Sequence, residues 1–512
     1  MADIESIVST TPPDTEAPYD VARIKRIGRR GAVWVTLTSA IAMLLAYYRN
    51  WILGRFGSDG DIIGQFALIL LFIQIVTTFV LFGGTTVTTN YLPKIRANRD
   101  KSAFIFSYTI LSLFLSLCFV ALLHLFPGLM ILLLKQPVDS TTLNIFSITA
   151  PMVVLAQMVT YALVGLTEFR LSSLLNQVQL AAVCCISSIA FFLFREFFLA
   201  NALSILTITV CGASTFVILV GGYYVSKRLS SFCYRLFLPV GFWSFSSFVH
   251  LNTIITFAYL SIDQLFILSA LGIKELGAYF VLMQCAQLIV FVPERIGQVM
   301  LASFSHLVGT CNYTDLLHAY VRLRRLILIV STPLALFIIL FSRPIAGIFG
   351  DWYAERHLYL LLLAVGFQLA VLGSVNAMLV MAKEYTRLFL INSVIQISVQ
   401  LGLTLLLIDR FGVYSVIVGK IAGLISAQVG LFSIIRWKMD KVRLPPPSEY
   451  WISVPICLGA AALSWFLSPL TLFMSIVSFV VLGSVFLCLS RFRIQEFLVL
   501  FSPTANTLDV SK

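Results

Sequence analysis

EFRLSSLLN at 168–176 returns as EYTRLFLIN at 384–392, which aligns Glu168 with Glu384 and Asn176 with Asn392. A second correspondence lies nearby in register. Gly57, six residues and GQFAL from Gly64 match Gly272, four residues and GAYFV from Gly277. Both matches fall where a loop passes into an apolar stretch. Two separate matches at nearly one offset imply a duplicated bundle of helices, a construction common among secondary transporters.

The material between the matches is hydrophobic enough to live in a bilayer. Of 512 residues, 59% are hydrophobic and 11% charged, whereas soluble domains carry roughly 25% charged residues. Apolar runs recur at 31–48, 62–90, 103–126, 143–167, 174–194, 200–225, 237–268, 276–304, 320–342, 357–381, 388–408, 413–435, 450–467 and 469–490. Most reach the ~20 residues that span a hydrocarbon core. The expected architecture is therefore an all-α polytopic membrane protein of about fourteen transmembrane helices, with two pseudo-symmetric six-helix lobes around a central cavity and a terminal helix pair. The divisions run 1–30 (a disordered cytoplasmic tail with a basic end), 31–230 (N-terminal lobe), 231–440 (C-terminal lobe), 441–490 (terminal pair) and 491–512 (cytoplasmic tail).

A net charge of +12 raises the question of nucleic acid, and the positions of the basic residues answer it. They crowd alternate loops, at Arg23 to Arg30, Lys94 to Lys101, Arg170, Lys227 to Arg235, Arg322 to Arg325, Lys383 with Arg387, and Arg436 to Arg443. The opposite loops hold far fewer. This asymmetry places both termini in the cytoplasm, and no nucleic-acid partner is expected. Residues 1–20 lack an apolar core and read as a disordered tail rather than a signal peptide.

Several chemistries have no support in the sequence. No GxxxxGK[ST] loop is present to hold nucleotide phosphates. The five His residues form no close ligand pair, and the nine Cys show no CxxC spacing, so neither a metal site nor a disulfide framework is expected. The longest outward loop is about fifteen residues, too short for an extramembrane catalytic domain. The expectation is a transporter without a cofactor, not an enzyme.

Polar groups in hydrocarbon are costly unless they face a cavity or a partner. The eighth apolar run is richest in them. Gln284, Gln287, Glu294, Arg295 and Gln298 fall within an arc of about 100°, beside Pro293, which interrupts the hydrogen-bond ladder. One reading is a cavity wall that meets an anionic substrate through Arg295; the other is a pairing of Arg295 with Glu294 or its snorkelling toward the cytoplasm. In the repeat-equivalent second run Gln74, Thr77, Thr78, Thr85 and Thr88 make a neutral stripe, of which Gln74 and Thr78 are candidate substrate contacts, although threonines also bond their own helix. Lys420 lies ~10 Å from the outer end of its helix and is a candidate contact or a snorkelling cation. Gly419 and Gly423 beside it suit close helix packing. Asp263 shares a face with Asn252, Thr256 and Tyr259; it is a candidate ion-coupling group, as is Glu294, or the partner of a basic residue. Arg49 and Arg55 stand at the mouth of the first helix, where interfacial anchoring is the stronger reading and substrate contact by Arg49 the other.

The stretches GRFGSDGDIIGQFALILLFIQIV at 54–76, NYLPKIRANRD at 90–100 and YLSIDQLFILSALGIKELGAYFVLMQCAQLI at 259–289 resemble the Wzx-like O-antigen and exopolysaccharide flippases of the multidrug/oligosaccharidyl-lipid/polysaccharide exporter superfamily. The resemblance covers most of the chain through the twelfth helix. It implies alternating access and an undecaprenyl-pyrophosphate-linked oligosaccharide as substrate, with membrane lipids, glycosyltransferases and a polysaccharide polymerase as partners. The aspartate of SIDQL, Asp263, matches a recurrent position of these flippases. Pro293 to Arg295 depart from the apolar pattern expected there. A multidrug or cation antiporter of the same superfamily is the alternative, disfavoured by Arg295, Lys420, Arg49 and Arg55; a membrane glycosyl polymerase or ligase is a more distant one.

Overall fold

The computed structural model describes residues 38, 41–55, 61–92, 95, 97–126, 140–166, 168–229, 233–309, 313–383, 385–438, 448–466 and 472–490, with the backbone alone in some stretches, 294–303 among them. The expected tails at 1–30 and 491–512 lie outside the described residues. No strand occurs among the described residues. Among the described residues eleven helices are long and apolar enough to cross a membrane, and two shorter apolar helices follow at Tyr450–Trp465 and Met474–Leu489. With the helix at 41–55 these make up the expected fourteen spans.

The N-terminal lobe comprises α1 (41–55), α2 (Asp61–Val80), α3 (Gly84–Tyr91), α4 (Asn98–Leu125), α5 (Ser140–Gly165), α6 (Phe169–Asn176), α7 (Val178–Leu193) and α8 (Arg195–Leu229). The C-terminal lobe comprises α9 (Phe242–Leu271), α10 (Ile273–Gly309), α11 (Tyr313–Leu340), two short helices α12 (Ser342–Phe349) and α13 (Asp351–Glu355), then α14 (His357–Ala370), α15 (Gly373–Ala382), α16 (Thr386–Phe411) and α17 (Val413–Lys438). The terminal pair is α18 (Ser448–Phe466) and α19 (Leu472–Leu489). The end at which α2, α10 and α17 begin is called the upper end. Leu117, Leu219, Leu405 and Leu406 are exposed on the outside of the lobes, as expected of a surface that meets acyl chains. By contrast α2 is mostly buried and apolar all round, because it lies between the lobes, packed on both α9 and α10.

Two expected spans are broken. The run at 62–90 divides at Leu81 to Gly83, where Gly83 and Gly84 take φ of 94° and 47°, conformations that cost a side-chain-bearing residue. Carbonyls released in hydrocarbon need partners, and the Tyr108 hydroxyl of α4 donates to the carbonyls of Leu81 (2.8 Å) and Phe82 (3.1 Å). The run at 357–381 divides at Val371 and Leu372, between α14 and α15. There the Tyr450 hydroxyl donates to the Leu369 carbonyl at 2.7 Å. One aromatic hydroxyl serves each break.

The lobes touch at both ends. At the upper end Gly64 of α2 lies so close to the start of α10 that a Cβ there would collide with the carbonyl oxygen of Ile273. At the lower end Phe82 packs edge-on against Trp243 with ring centres 5.8 Å apart, and Tyr91 against Phe245 at 5.6 Å. The helix pair α16 and α17 is equally close, since a Cβ at Gly419 would sit 2.7 Å from the Gln400 carbonyl oxygen and one at Gly423 3.0 Å from that of Gln396. Close packing is thus the role of this glycine pair.

Gly64→Val should therefore destabilise the protein by about 1–3 kcal/mol, the usual cost of overpacking. Gly222→Ala, where a Cβ meets nothing within 4 Å, should not. Thermal unfolding of the two purified variants checks this; equal melting temperatures would remove the close contact from the account.

Candidate functional site

The polar residues of α1 and α10 meet where the lobes adjoin. Arg49 is 4% exposed and Asn50 0%, so the first helix carries both groups inward rather than to an interface. The Arg49 guanidinium donates from Nε and Nη2 to Asn50 Oδ1 at 3.1 and 2.8 Å. It also lies 4.4 Å from the centre of the Phe66 ring of α2. Asn50 Nδ2 donates to Gln284 Oε1 at 2.8 Å, and the Tyr47 hydroxyl to the Gln284 backbone carbonyl at 2.9 Å. A chain of contacts from Phe66 through Arg49 and Asn50 to Gln284 therefore joins the two lobes.

This chain borders a cavity of about 390 Å³ lined by Arg49, Gln284 and Gln287, with Gln177 from the junction of α6 and α7. Arg49 supplies the positive charge of its wall, and the three glutamines supply both donors and acceptors. No carboxylate lines it among the described residues. Such a wall suits an anionic group joined to a hydroxyl-bearing one.

The remaining candidates separate from this cavity. Lys420 and Asp263 are not surface groups. They form a buried ion pair at 2.5 Å, with side chains 1% and 0% exposed, and Asp263 also accepts from the Tyr279 hydroxyl of α10 and from the Gln264 backbone N–H at 2.9 Å. The Lys420 ammonium lies 5.8 Å from the Tyr259 ring centre. The pair ties α9, α10 and α17 together; for Asp263 it is the pairing with a basic residue that the sequence left open, and for Lys420 it is a partner the sequence did not indicate. Burial leaves no room for the snorkelling of Lys420.

Gln74 accepts from the Ser261 hydroxyl at 2.8 Å and so links α2 to α9. Thr78 is buried. Thr77 and Thr88 donate back to carbonyls of their own helices, at Ile73 (2.8 Å) and Gly84 (3.4 Å), the structural use of such hydroxyls. Arg55 is exposed. The side chains of Glu294, Arg295 and Gln298 lie outside the described residues; the backbone shows only that α10 continues through Pro293. Sequence reasoning missed Asn50 and Gln177. Asn50 carried a signal, as an amide beside an arginine just past the end of the first apolar run.

Comparison with solved structures agrees with this architecture. A structure of the lipid II flippase MurJ, in an inward closed conformation, superposes with a TM-score of 0.67 at 16% identity, covering 89% of this chain and 99% of that one. The chain has the fold of the MurJ and MATE transporters. An inward-facing MATE multidrug resistance transporter of the MOP superfamily matches at 0.57 and 14% identity, over 80% of this chain and 98% of that one. The Vibrio cholerae MATE transporter VcmN matches at 0.54 and 13%, over 83% and 100%. No family model matches the sequence, and no curated protein does. These matches are transporters rather than enzymes, and the chain is a multi-pass membrane protein.

Removing one partner of a buried ion pair leaves an uncompensated charge, which costs about 3–5 kcal/mol. Lys420→Met should lower stability on that scale, and Asp263→Leu with Lys420→Met should recover most of it. Unfolding of the purified single and double variants measures the difference. A double variant no better than the single one would mean the residues do not act as a pair.

Proposed function

We propose that the protein is a secondary transporter that flips undecaprenyl-pyrophosphate-linked oligosaccharide units across the bacterial inner membrane by alternating access. The observation that carries this reading is the buried Arg49 at a cavity where Gln177, Gln284 and Gln287 stand among apolar side chains such as Met43, Leu180 and Phe291. A guanidinium matches phosphate oxygens in charge and geometry, and the amides match sugar hydroxyls. The MurJ structure described as a lipid II flippase superposes over more of this chain, and with a higher TM-score, than either MATE structure above, which supports a lipid-linked glycan. The loop charges support cytoplasmic termini. Glycosyltransferases that build the unit and a polymerase that consumes it are the partners this reading requires.

The multidrug reading is weaker on the same observation, because a cationic drug would meet Arg49 and no carboxylate among the described lining residues. The energy source is a separate element of the proposal. In this conformation Asp263 is neutralised by Lys420, so ion coupling through Asp263 requires the pair to open during the cycle. Glu294 is the second proposed coupling carboxylate, and Arg295 and Gln298 extend the proposed substrate wall along α10.

In a strain lacking the gene and any paralogue, Arg49→Ala should abolish surface polysaccharide while lipid-linked units accumulate inside. Arg49→Lys should restore part of it, since lysine keeps the charge but not the paired hydrogen bonds. Membrane levels of each variant are measured beside the polysaccharide. Full surface polysaccharide with Arg49→Ala would remove the arginine from substrate contact.

A further inference from the structure

The break between α14 and α15 opens onto a second cavity, of about 340 Å³, lying within the C-terminal lobe rather than between the lobes. Its walls include Tyr259 of α9, Phe367 of α14, Ser374 of α15, Gln396 of α16 and Gln428 of α17. The carbonyl side of the break is satisfied. Besides Tyr450, the Gln428 amide, with its nitrogen turned toward the break, donates to the carbonyls of Leu369 (3.0 Å) and Ala370 (3.1 Å).

The amide side is open. The residue preceding α15 is Leu372, which offers no side-chain cap to the first turn, and both Gly373 and Ser374 of that turn line the cavity. The positive end of a ten-residue half-helix therefore faces the space. A second observation is independent of the helix. The Gln396 side chain is 9% exposed and lines the same cavity, yet its amide has no hydrogen-bond partner among the described residues. An amide that faces a cavity without a protein partner is normally satisfied by water or ligand.

The chemistry of the walls narrows the ligand. Neither a charged side chain nor a metal-ligating carboxylate is among them, so an ion would lose its hydration without a compensating charge. Amides and first-turn N–H groups stand instead beside the rings of Tyr259, Phe367 and Phe389, and the hydroxyls of Ser374 and Ser393, which donate to the carbonyls of Val371 and Phe389, keep lone pairs to accept with. Polar edges with apolar ring faces are the surface of a sugar. We propose that this cavity is a binding site for one neutral, hexose-sized saccharide, held by the Gln396 amide and the open first turn of α15. Its role in the cell, as a subsite for part of the glycan, rests on the transport reading above. The binding itself does not.

The test uses the purified full-length protein and calorimetric titration with glucose, galactose and N-acetylglucosamine, each through about the millimolar range where weak sites saturate. At least one of the three should bind saturably. Gln396→Leu, which removes the amide, and Ala377→Leu, which fills space at another lining position, should each weaken that binding tenfold or more. Ser374→Ala, which deletes only a hydroxyl, gives the same comparison if the larger changes fail to fold. Gly222→Ala, outside the cavity and with room for its Cβ, should leave the binding unchanged. The proposal is overturned if none of the three sugars binds saturably, which would assign the space to water. It is equally overturned if the cavity variants bind as the parent does, or if glucose 6-phosphate binds more tightly than glucose, which would mark an anion site. Saccharide binding without glycan transport would remove the transport reading alone, and transport without saccharide binding would remove this site alone.

Discussion

The absence of a side chain at Gly64 lets two backbones meet, and the arrangement of the lobes follows from that contact. α2 and α10 are repeat equivalents, and their upper ends approach until no Cβ fits between Gly64 and the Ile273 carbonyl. This approach sets α1 beside α10. Asn50 can then reach Gln284, and Arg49 rests over Phe66. The cavity lined by Arg49 is thus a consequence of backbone proximity some distance away, since polar residues on two lobes converge only if the helices carrying them are held together.

Hydrocarbon imposes the second constraint, because every polar group withdrawn from water needs a partner inside the protein. Asp263 and Lys420 meet it by neutralising each other, and Tyr279 completes the carboxylate's shell. Two spans are broken, and both spend a tyrosine hydroxyl on the released carbonyls. At Gln396 and the first turn of α15, where no protein partner is supplied, a cavity adjoins the open groups. Where a partner is supplied, as at Thr77, the hydroxyl is structural.

Much of the fold was legible in the sequence. Duplication showed as two short matches at nearly one offset, and the spans showed as apolar runs of bilayer length, a signal strong because lipid excludes most other solutions. The break after Leu81 had a local sign in Gly83 and Gly84. The break at Val371 and Leu372 had none, since both residues suit a helix and the carbonyls are satisfied from α17 and α18, far along the chain. The site was legible in its residue types and less so in its pairings. Gln284 and Gln287 were found from helical periodicity, whereas Asp263 and Lys420, 157 positions apart, share no periodic pattern that would have matched them. Arg49 read as an anchor because it stands near a helix end; only the packing of α2 against α10 shows that this end is enclosed.

The most direct test of the transport reading is reconstitution of the purified protein into lipid vesicles that carry a fluorescent undecaprenyl-pyrophosphate-linked oligosaccharide in both leaflets. A quencher or glycan-modifying enzyme added outside then reports how fast the inner pool becomes accessible. The account predicts that the inner pool is exhausted far faster than in protein-free vesicles. An inner pool that stays protected, in vesicles shown to hold folded protein in both orientations, would contradict it.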